Sequence, residues 1–357
     1  MDIFSLMKND QQEQIVFYSD RTVQLRAILA IHSTTLGPAI GGIRLMEYQT
    51  EQEAVFDLIR LSKAMTYKAA AAGLNFGGGQ IVIIDNHIPR SEATFRAVGR
   101  FIESLKGRFI AAEDVGVIED YMEYMRLETR YVSGLPSYFG GSGNHSSMCA
   151  LGAFIGIKAS AFHRWQVSNL KNRKIVVQGY GRTGQLIAGF ARDLEGQVVV
   201  SDIDPIRREN AIRDGFPTLP HDQVYSEKCD IFSPCAVGGI INSKTTRLFN
   251  CEIIAGTANN QLLNEEDETA IKHRGILYAP DFIINAGGLI DISEEFFGYQ
   301  KERVLRKTEN IYQTLLKVYQ IAETKKISNH QAAIKLARER IDSIKNIRGT
   351  FLSKGKI

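Results

Sequence analysis

Lys174-Ile175-Val176-Val177-Gln178-Gly179-Tyr180-Gly181-Arg182-Thr183-Gly184 is the stretch that decides the fold. Five residues rich in β formers run into glycines spaced G-x-G-x-x-G, and an apolar helical pattern, Gln185 to Leu194, follows. A second β run, Gln197 to Ser201, closes on an acid, Asp202. A lone G-x-G-x-x-G also punctuates ordinary turns. Between a strand and a helix, however, the three glycines serve a tight turn, close approach of backbone to a pyrophosphate, and close packing of helix on strand. The helix N-terminus adds amide donors and a positive dipole end. A dinucleotide is therefore expected at Gly179, Gly181, Arg182, Thr183 and Gly184. Asp202 is expected to accept from the adenosine ribose and repel a 2′-phosphate, which favours NAD over NADP. Arg207 and Arg208 carry the opposite reading, because they could pair with such a phosphate.

Downstream, strand and helix patterns alternate through Pro205 to Arg213, Asp230 to Ser233, Ile253 to Ala255 and Gly275 to Tyr278, as a doubly wound parallel sheet requires. Upstream, strand-like runs at Ile15 to Tyr18 and Leu25 to Ile31 precede a Thr50/Glu53 capping pattern and a helix carrying Val55, Leu58, Ile59 and Leu61. A strand over Ile81 to Asp85 follows a Gly77-Gly78-Gly79 turn, with helices at Glu92 to Leu105 and Ile118 to Glu128. The Gly/Ser-rich segment from Ser137 to Asn144 reads as a hinge into a small-residue helix, Cys149 to Ala161. After Val304 the pattern is helical, over Val304 to Glu323 and Gln331 to Ile347, and this tail is expected to return to the first domain. The expected organisation is α/β with two domains, 1–140 and 141–325, and a C-terminal helix over 326–357.

Composition excludes several functions. A net charge of +3 on 357 residues, with scattered cations, does not suit nucleic acid. Cys149, Cys229, Cys235 and Cys251 form no CxxC pair and the seven histidines are dispersed, so no metal site is expected. Reduced thiols, the absence of a leader-like start and the absence of a long apolar run point to a cytoplasmic protein without a membrane partner.

Five further segments are unusual: Leu36-Gly37-Pro38-Ala39-Ile40-Gly41-Gly42, Met65-Thr66-Tyr67-Lys68, Ala112-Glu113-Asp114-Val115-Gly116, Ala258-Asn259-Asn260-Gln261-Leu262 and Asn285-Ala286-Gly287-Gly288. In this order they resemble the Glu/Leu/Phe/Val dehydrogenase family, closest to its leucine, phenylalanine and tryptophan dehydrogenase branch. The resemblance implies an N-terminal substrate and oligomerisation domain, a C-terminal Rossmann domain, a homo-oligomer, and NAD-dependent oxidation of an L-amino acid to its 2-oxo acid and ammonia. It implies Lys68 as carboxylate binder and Asp114 as the acid that shuttles protons. Gly41 and Gly42 would bring backbone close to the substrate. Ile40, Met65, Leu289 and Ile292 would line an apolar pocket suited to an aliphatic or aromatic side chain. Asn260 would sit between substrate and cofactor, with Ala236, Ala258 and Asn285 lining the cofactor.

Two positions depart from that pattern. Where the resemblance calls for a lysine that activates the hydrolytic water, this chain has Gln80, which can orient a water but cannot take its proton. Where it calls for a threonine near the nicotinamide carboxamide, the chain has Cys149. His145, beside it, is either a titratable group at the cleft or a hinge histidine. Asp291 follows the glycine loop, where asparagine is frequent. Loss of a positioned base costs on the order of 100- to 10,000-fold, so ordinary deamination is expected to be weakened. Three functions stay open: an amino-acid dehydrogenase in which Asp114 carries the proton transfers, an imine-forming or imine-reducing enzyme that needs no water activation, and a non-catalytic NAD-binding homologue.

Overall fold

The structure, a computed structural model, describes residues 2–85, 87–143, 145–167 and 169–347. The first lobe runs α1 (Ile3–Asn9), β1 (Gln14–Asp20), β2 (Leu25–Ser33), β3 (Ala39–Met46), α2 (Glu51–Ala71), β4 (Gly77–Ile84), α3 (Glu92–Ser104), β5 (Phe109–Glu113) and α4 (Glu119–Arg126). Its sheet has the order β1-β2-β4-β3-β5, with β1 and β2 antiparallel to their neighbours and β3, β4 and β5 mutually parallel. Phe95, Val98 and Phe101 of α3 and Met122 of α4 bury one face. Val55, Leu58 and Ile59 of α2 bury part of the other, as the helical spacing predicts.

Three expectations for this lobe are corrected. The glycine run is not a turn before a strand over Ile81 to Asp85, because β4 begins at Gly77. Strands tolerate glycine poorly unless another backbone comes close, and here a Cβ on Gly78 would overlap the backbone nitrogen of Thr66 in α2. Gln80 is thus a mid-strand residue. Strands β3 and β5 were not anticipated. Thr50 caps α2 at 3.2 Å through the Glu53 amide, but the Glu53 carboxylate returns to the amide of Gln49 (2.9 Å) rather than to Thr50.

The second lobe comprises α5 (Ser146–Trp165), β6 (Lys174–Gln178), α6 (Arg182–Asp193), β7 (Gln197–Ser201), α7 (Pro205–Arg213), β8 (Ile231–Pro234), β9 (Ile253–Ile254), α8 (Glu266–His273), β10 (Leu277–Tyr278), α9 (Asp281–Ile284) and α10 (Gly287–Glu294). Its five strands are parallel, in the order β10-β9-β8-β6-β7. With α6 following β6, the dinucleotide fingerprint lies at a strand-to-helix turn of a doubly wound sheet. The long helix expected over Val304 to Glu323 is two helices, α11 (Lys301–Glu309) and α12 (Ile311–Lys325), with the break at Asn310.

The final helix, α13 (Asn329–Lys345), starts in a reciprocal capping box between Ser328 and Gln331. Arg340 of α13 donates to the carbonyls of Ala70 (3.1 Å), Leu74 (2.6 Å) and Gly73 (3.2 Å), so the C-terminal segment is fastened to the end of α2. The hinge is fastened as well. Glu295 accepts from the amides of Gly134 (2.9 Å) and Ser142 (2.7 Å), and Ser133 donates to the Ile292 carbonyl at 2.6 Å. Residues 348–357 and Asn144, which the sequence places in the tail and hinge, lie outside the described residues. No described helix is long and apolar enough to cross a membrane.

Candidate active site

Strands β3, β4 and β5 bring the first cluster together. Gly42 on β3 donates its amide to Gln80 Oε1 at 3.0 Å, and Gln80 Nε2 donates to Asp114 Oδ2 at 2.9 Å. A side chain on Gly42 would come within 2.6 Å of Asp114 Cβ, so this glycine makes room for the acid. Gly41 serves a different purpose, since a Cβ there would overlap the Gly79 carbonyl of β4; it lets the two strands pack. Gln80 is only 2% exposed, and both ends of its amide are spent on named partners.

Arg44 was missed by the sequence reading. Its Nε donates to Asp114 Oδ2 (3.0 Å) and its Nη1 to Asp57 Oδ2 (2.9 Å), which also accepts from Tyr48 (2.7 Å). Asp114 therefore faces one cation and one neutral amide. The signal was present in the sequence, as an arginine two residues beyond the Gly-Gly pair on an apolar strand, where an unpaired charge would be costly.

Lys68, near the end of α2, is half-buried, and no carboxylate lies within ion-pair distance of it among the described residues. Burial lowers its pKa, opposed by the nearby Cys149, Asp281 and Asp114. An amine held this way regains its charge most readily when an anion arrives. Ile40, Leu289 and Ile292 belong to the large buried apolar cluster that runs across both lobes, and Met65 packs against it. Ile292 also faces the hinge, with its Cγ2 lying 3.8 Å from the position of a Cβ on Gly134.

From the second lobe, α10 and the preceding loop supply the opposing wall. Cys149 and His145 both approach Gly288. Burial raises the Cys149 thiol pKa, opposed by Lys68. His145 Nε2 lies 3.4 Å from Glu113 Oε1, across from the first lobe, and burial lowers its pKa. Asn285 Nδ2 donates to Asn259 Oδ1 (2.8 Å) and to the Thr257 carbonyl (3.3 Å), while its Oδ1 is buried with no hydrogen-bond partner among the described residues. A buried acceptor of that kind calls for a donor such as a carboxamide. Asn260 is exposed, in a left-handed conformation (φ +50°). Thr257 and Asn259, also missed, orient Asn285, and Thr257 Oγ1 lies 2.8 Å from Thr183 Oγ1.

The three glycines of the turn between β6 and α6 differ in what the fold asks of them. Gly179 (φ +96°) packs against Ala236, and a Cβ on Gly184 would overlap the Gly179 carbonyl, so the fold itself requires both. Gly181 is different. Its backbone is extended, and a Cβ would meet nothing nearer than Arg207 Nη1 at 3.7 Å. The fold does not require that glycine, whereas a pyrophosphate lying against the N-terminus of α6 does. Asp202 is buried, its two oxygens accepting from Tyr180 N (2.7 Å) and Asp204 N (2.8 Å). Arg208 is spent on the carbonyls of Asp202 and Ile203, and Arg207 faces Asp202 (3.8 Å) and Asp204 (3.6 Å). Ala258 is buried, its amide donating to the Pro234 carbonyl.

Known proteins resemble this chain over nearly its whole length. Residues 12–131 match the Glu/Leu/Phe/Val dehydrogenase dimerisation domain, and residues 207–349 the Glutamate/Leucine/Phenylalanine/Valine dehydrogenase domain. The chain is 43% identical to a leucine dehydrogenase of Thermoactinomyces intermedius, over 99% of this chain and 97% of the relative. It is 38% identical to that organism's phenylalanine dehydrogenase, over 98% and 97%. The crystal structure of L-tryptophan dehydrogenase from Nostoc punctiforme superposes with a TM-score of 0.85 at 40% identity, covering 96% of this chain and all of that one. The chain belongs to the Glu/Leu/Phe/Val dehydrogenase family.

Proposed function

We propose that this protein is an NAD-dependent oxidoreductase acting on the CH–NH2 group of an aliphatic or aromatic L-amino acid, with its hydrolytic step weakened by Gln80. The observation that carries the reading is Lys68, a half-buried lysine without an ion-pair partner among the described residues, lying in the field of Cys149, Asp281 and Asp114. Lys68 binds the substrate carboxylate. Asp114, steered by Arg44 and Gln80, takes a proton from the substrate ammonium. A nicotinamide held in this cleft would supply the acceptor for the hydride of the substrate Cα. Asn285 and Asn260 orient the reacting groups, and the apolar pocket of Ile40, Met65, Leu289 and Ile292 selects the side chain.

Gln80 holds Asp114 in place but offers no basic lone pair, so Asp114 would have to release the ammonium proton to solvent before it could also take the proton of the attacking water. Gly179, Gly181, Arg182, Thr183 and Gly184 would hold the pyrophosphate. Cys149, Ala236 and Ala258 would line the nicotinamide end, and Asp202 would hold the adenosine ribose. Residues 1–140 serve as substrate and oligomerisation domain of a homo-oligomer, 141–325 bind NAD, and 326–357 return to the first domain.

The test is NADH formation by purified protein with NAD and each standard amino acid. Activity confined to aliphatic or aromatic substrates is expected, and silence on the whole panel sinks the proposal. Gln80 favours one second reading, because hydride transfer needs no water base: turnover of preformed cyclic imines with NADH would then exceed that of 2-oxo acid plus ammonia. The reverse ranking removes this alternative.

A further inference from the structure

Deamination asks the cleft for two proton acceptors, one for the substrate ammonium and one for the water that attacks the iminium. Gln80 can serve as neither, and Asp114 Oδ2 already accepts from Arg44 (3.0 Å) and Gln80 (2.9 Å). The other titratable groups leave few replacements. Lys68 is committed to the substrate carboxylate, burial keeps the Cys149 thiol protonated, and Asp291 is held by the Tyr299 hydroxyl at 2.9 Å. Glu113 and His145 remain, and they face each other from opposite lobes.

His145 stands immediately before α5, and Glu113 ends β5, one position from Asp114. His145 Nε2 lies 3.4 Å from Glu113 Oε1, with both side chains largely covered. The ring edge that carries Nε2 is turned toward α10: Cδ2, its neighbour in the ring, is 3.5 Å from where a Cβ on Gly288 would stand, and Cys149 Cβ is equally near that point. Gly288 precedes Leu289 of the apolar pocket, so the imidazole borders the place where substrate and nicotinamide meet. Burial lowers the His145 pKa; Glu295 opposes this, and Arg182 of α6 and Lys68 of α2 add to it. Burial also raises the pKa of Glu113, with Arg182 opposing and Glu119 and Asp114 reinforcing. His145 is therefore neutral at neutral pH and keeps a lone pair, beside a carboxyl group placed to receive the charge that a proton would create.

We propose that His145 is the general base of the hydrolytic step, its Nε2 taking a proton from the water that attacks the iminium while Glu113 stabilises the imidazolium. This rests on the dehydrogenase reading of the cleft. The water oxygen bonds to the substrate carbon, the C=N π pair moves onto nitrogen, and the water proton passes to His145. Asp114 then hands the ammonium proton back to the amine and takes the hydroxyl proton as ammonia leaves; ammonia and solvent collect the two protons. An imidazole of lowered pKa is a weaker base than a positioned lysine, so hydrolysis is slowed without being stopped.

The experiment follows NADH on rapid mixing of the full chain with NAD and the best amino acid of the panel, where the first turnover reports hydride transfer and the steady rate reports hydrolysis. His145→Gln should cut the steady rate about 30-fold or more and leave the first turnover within about threefold. In a Gln80→Lys background, where a base is restored, the same change should cost less than about threefold. NMR of carbon-13-labelled histidine in the free protein adds a readout independent of turnover. The His145 signal, identified by its loss in His145→Gln, should titrate below 6.5, and lower still in Glu113→Gln. No NADH from the parent even in the first turnover sinks the reading of the cleft and this proposal with it. A parent that turns over while His145→Gln slows both phases alike or neither, an equal loss in the Gln80→Lys background, or a His145 titration that Glu113→Gln leaves in place each overturns the role of His145 alone.

Discussion

Replacing Gln80 by lysine tests how the cleft handles a proton. The Gln80 amide oxygen takes the Gly42 N–H at 3.0 Å while its nitrogen donates to Asp114 at 2.9 Å. An ammonium could replace the donor but not the acceptor, leaving a buried N–H unpaired at a cost of about 1–3 kcal/mol. A neutral amine can do both, with its lone pair toward Gly42 and an N–H toward Asp114. The Gly42 N–H therefore favours the uncharged amine, the form that can take a proton from water, while the Asp114 carboxylate pulls the other way. A positioned base is worth about 100- to 10,000-fold, or about 3–5 kcal/mol in the barrier. Gln80→Lys should raise kcat for oxidative deamination by at least about 100-fold, with a stability loss of about 1–2 kcal/mol in urea unfolding. The assay is NADH absorbance under saturating NAD and the best amino acid of the panel. A folded variant that still binds both ligands, yet stays within roughly threefold of the parent, would refute the assignment of position 80 to water activation.

Three other outcomes follow from the same geometry. Lys68→Met should raise KM for the amino acid by about 30-fold, the equivalent of one charge-assisted hydrogen bond of about 2 kcal/mol, while an unchanged KM would remove Lys68 from the substrate site. Gly181→Ala should weaken NAD about tenfold with stability held within about 0.5 kcal/mol, whereas Gly184→Ala should lose about 1–3 kcal/mol of stability; equal losses in both would mean that the fold, not a ligand, needs Gly181. Burial pushes Asp291 up to about 6 from 3.8, partly opposed by the Tyr299 hydroxyl at 2.9 Å. A carboxyl raised on folding contributes stability that is full below about pH 4 and is lost as pH rises to about 6. Asp291→Asn should therefore gain about 2–3 kcal/mol relative to the parent between pH 4 and 7.5, and a flat difference across that range would show that Asp291 is not held neutral.

The second lobe was readable because its signals are local. The run of β formers from Ile175 to Val177, the glycines after Gln178, and Pro205 behind the capping Asp204 each act within a few residues. The first lobe hid its central strands. Gly41 and Gly42 in β3 and Gly77 to Gly79 in β4 look like turn residues, and what makes them strand residues is the nearness of Asp114, Gly79 and Thr66, which no short window contains. The same limit applied to the site. Lys68, Asp114 and Gln80 were found through the resemblance, since nothing in their spacing brings α2, β4 and the end of β5 together. Arg44 escaped because its two partners, Asp57 and Asp114, are distant along the chain. The Asn310 break between α11 and α12 was missed because the apolar periodicity continues across it.

The chain joins its two halves twice, once through the hinge before α5 and again where Arg340 of α13 is fastened to the end of α2. A body tethered at one point can swivel about three axes, whereas a body tethered at two separate points turns chiefly about the line between them. Turning of the half that carries Lys68 and Asp114 against the half that carries Asn285 is therefore restrained at both ends of the junction, and the buried cluster shared by the two halves fills the space between.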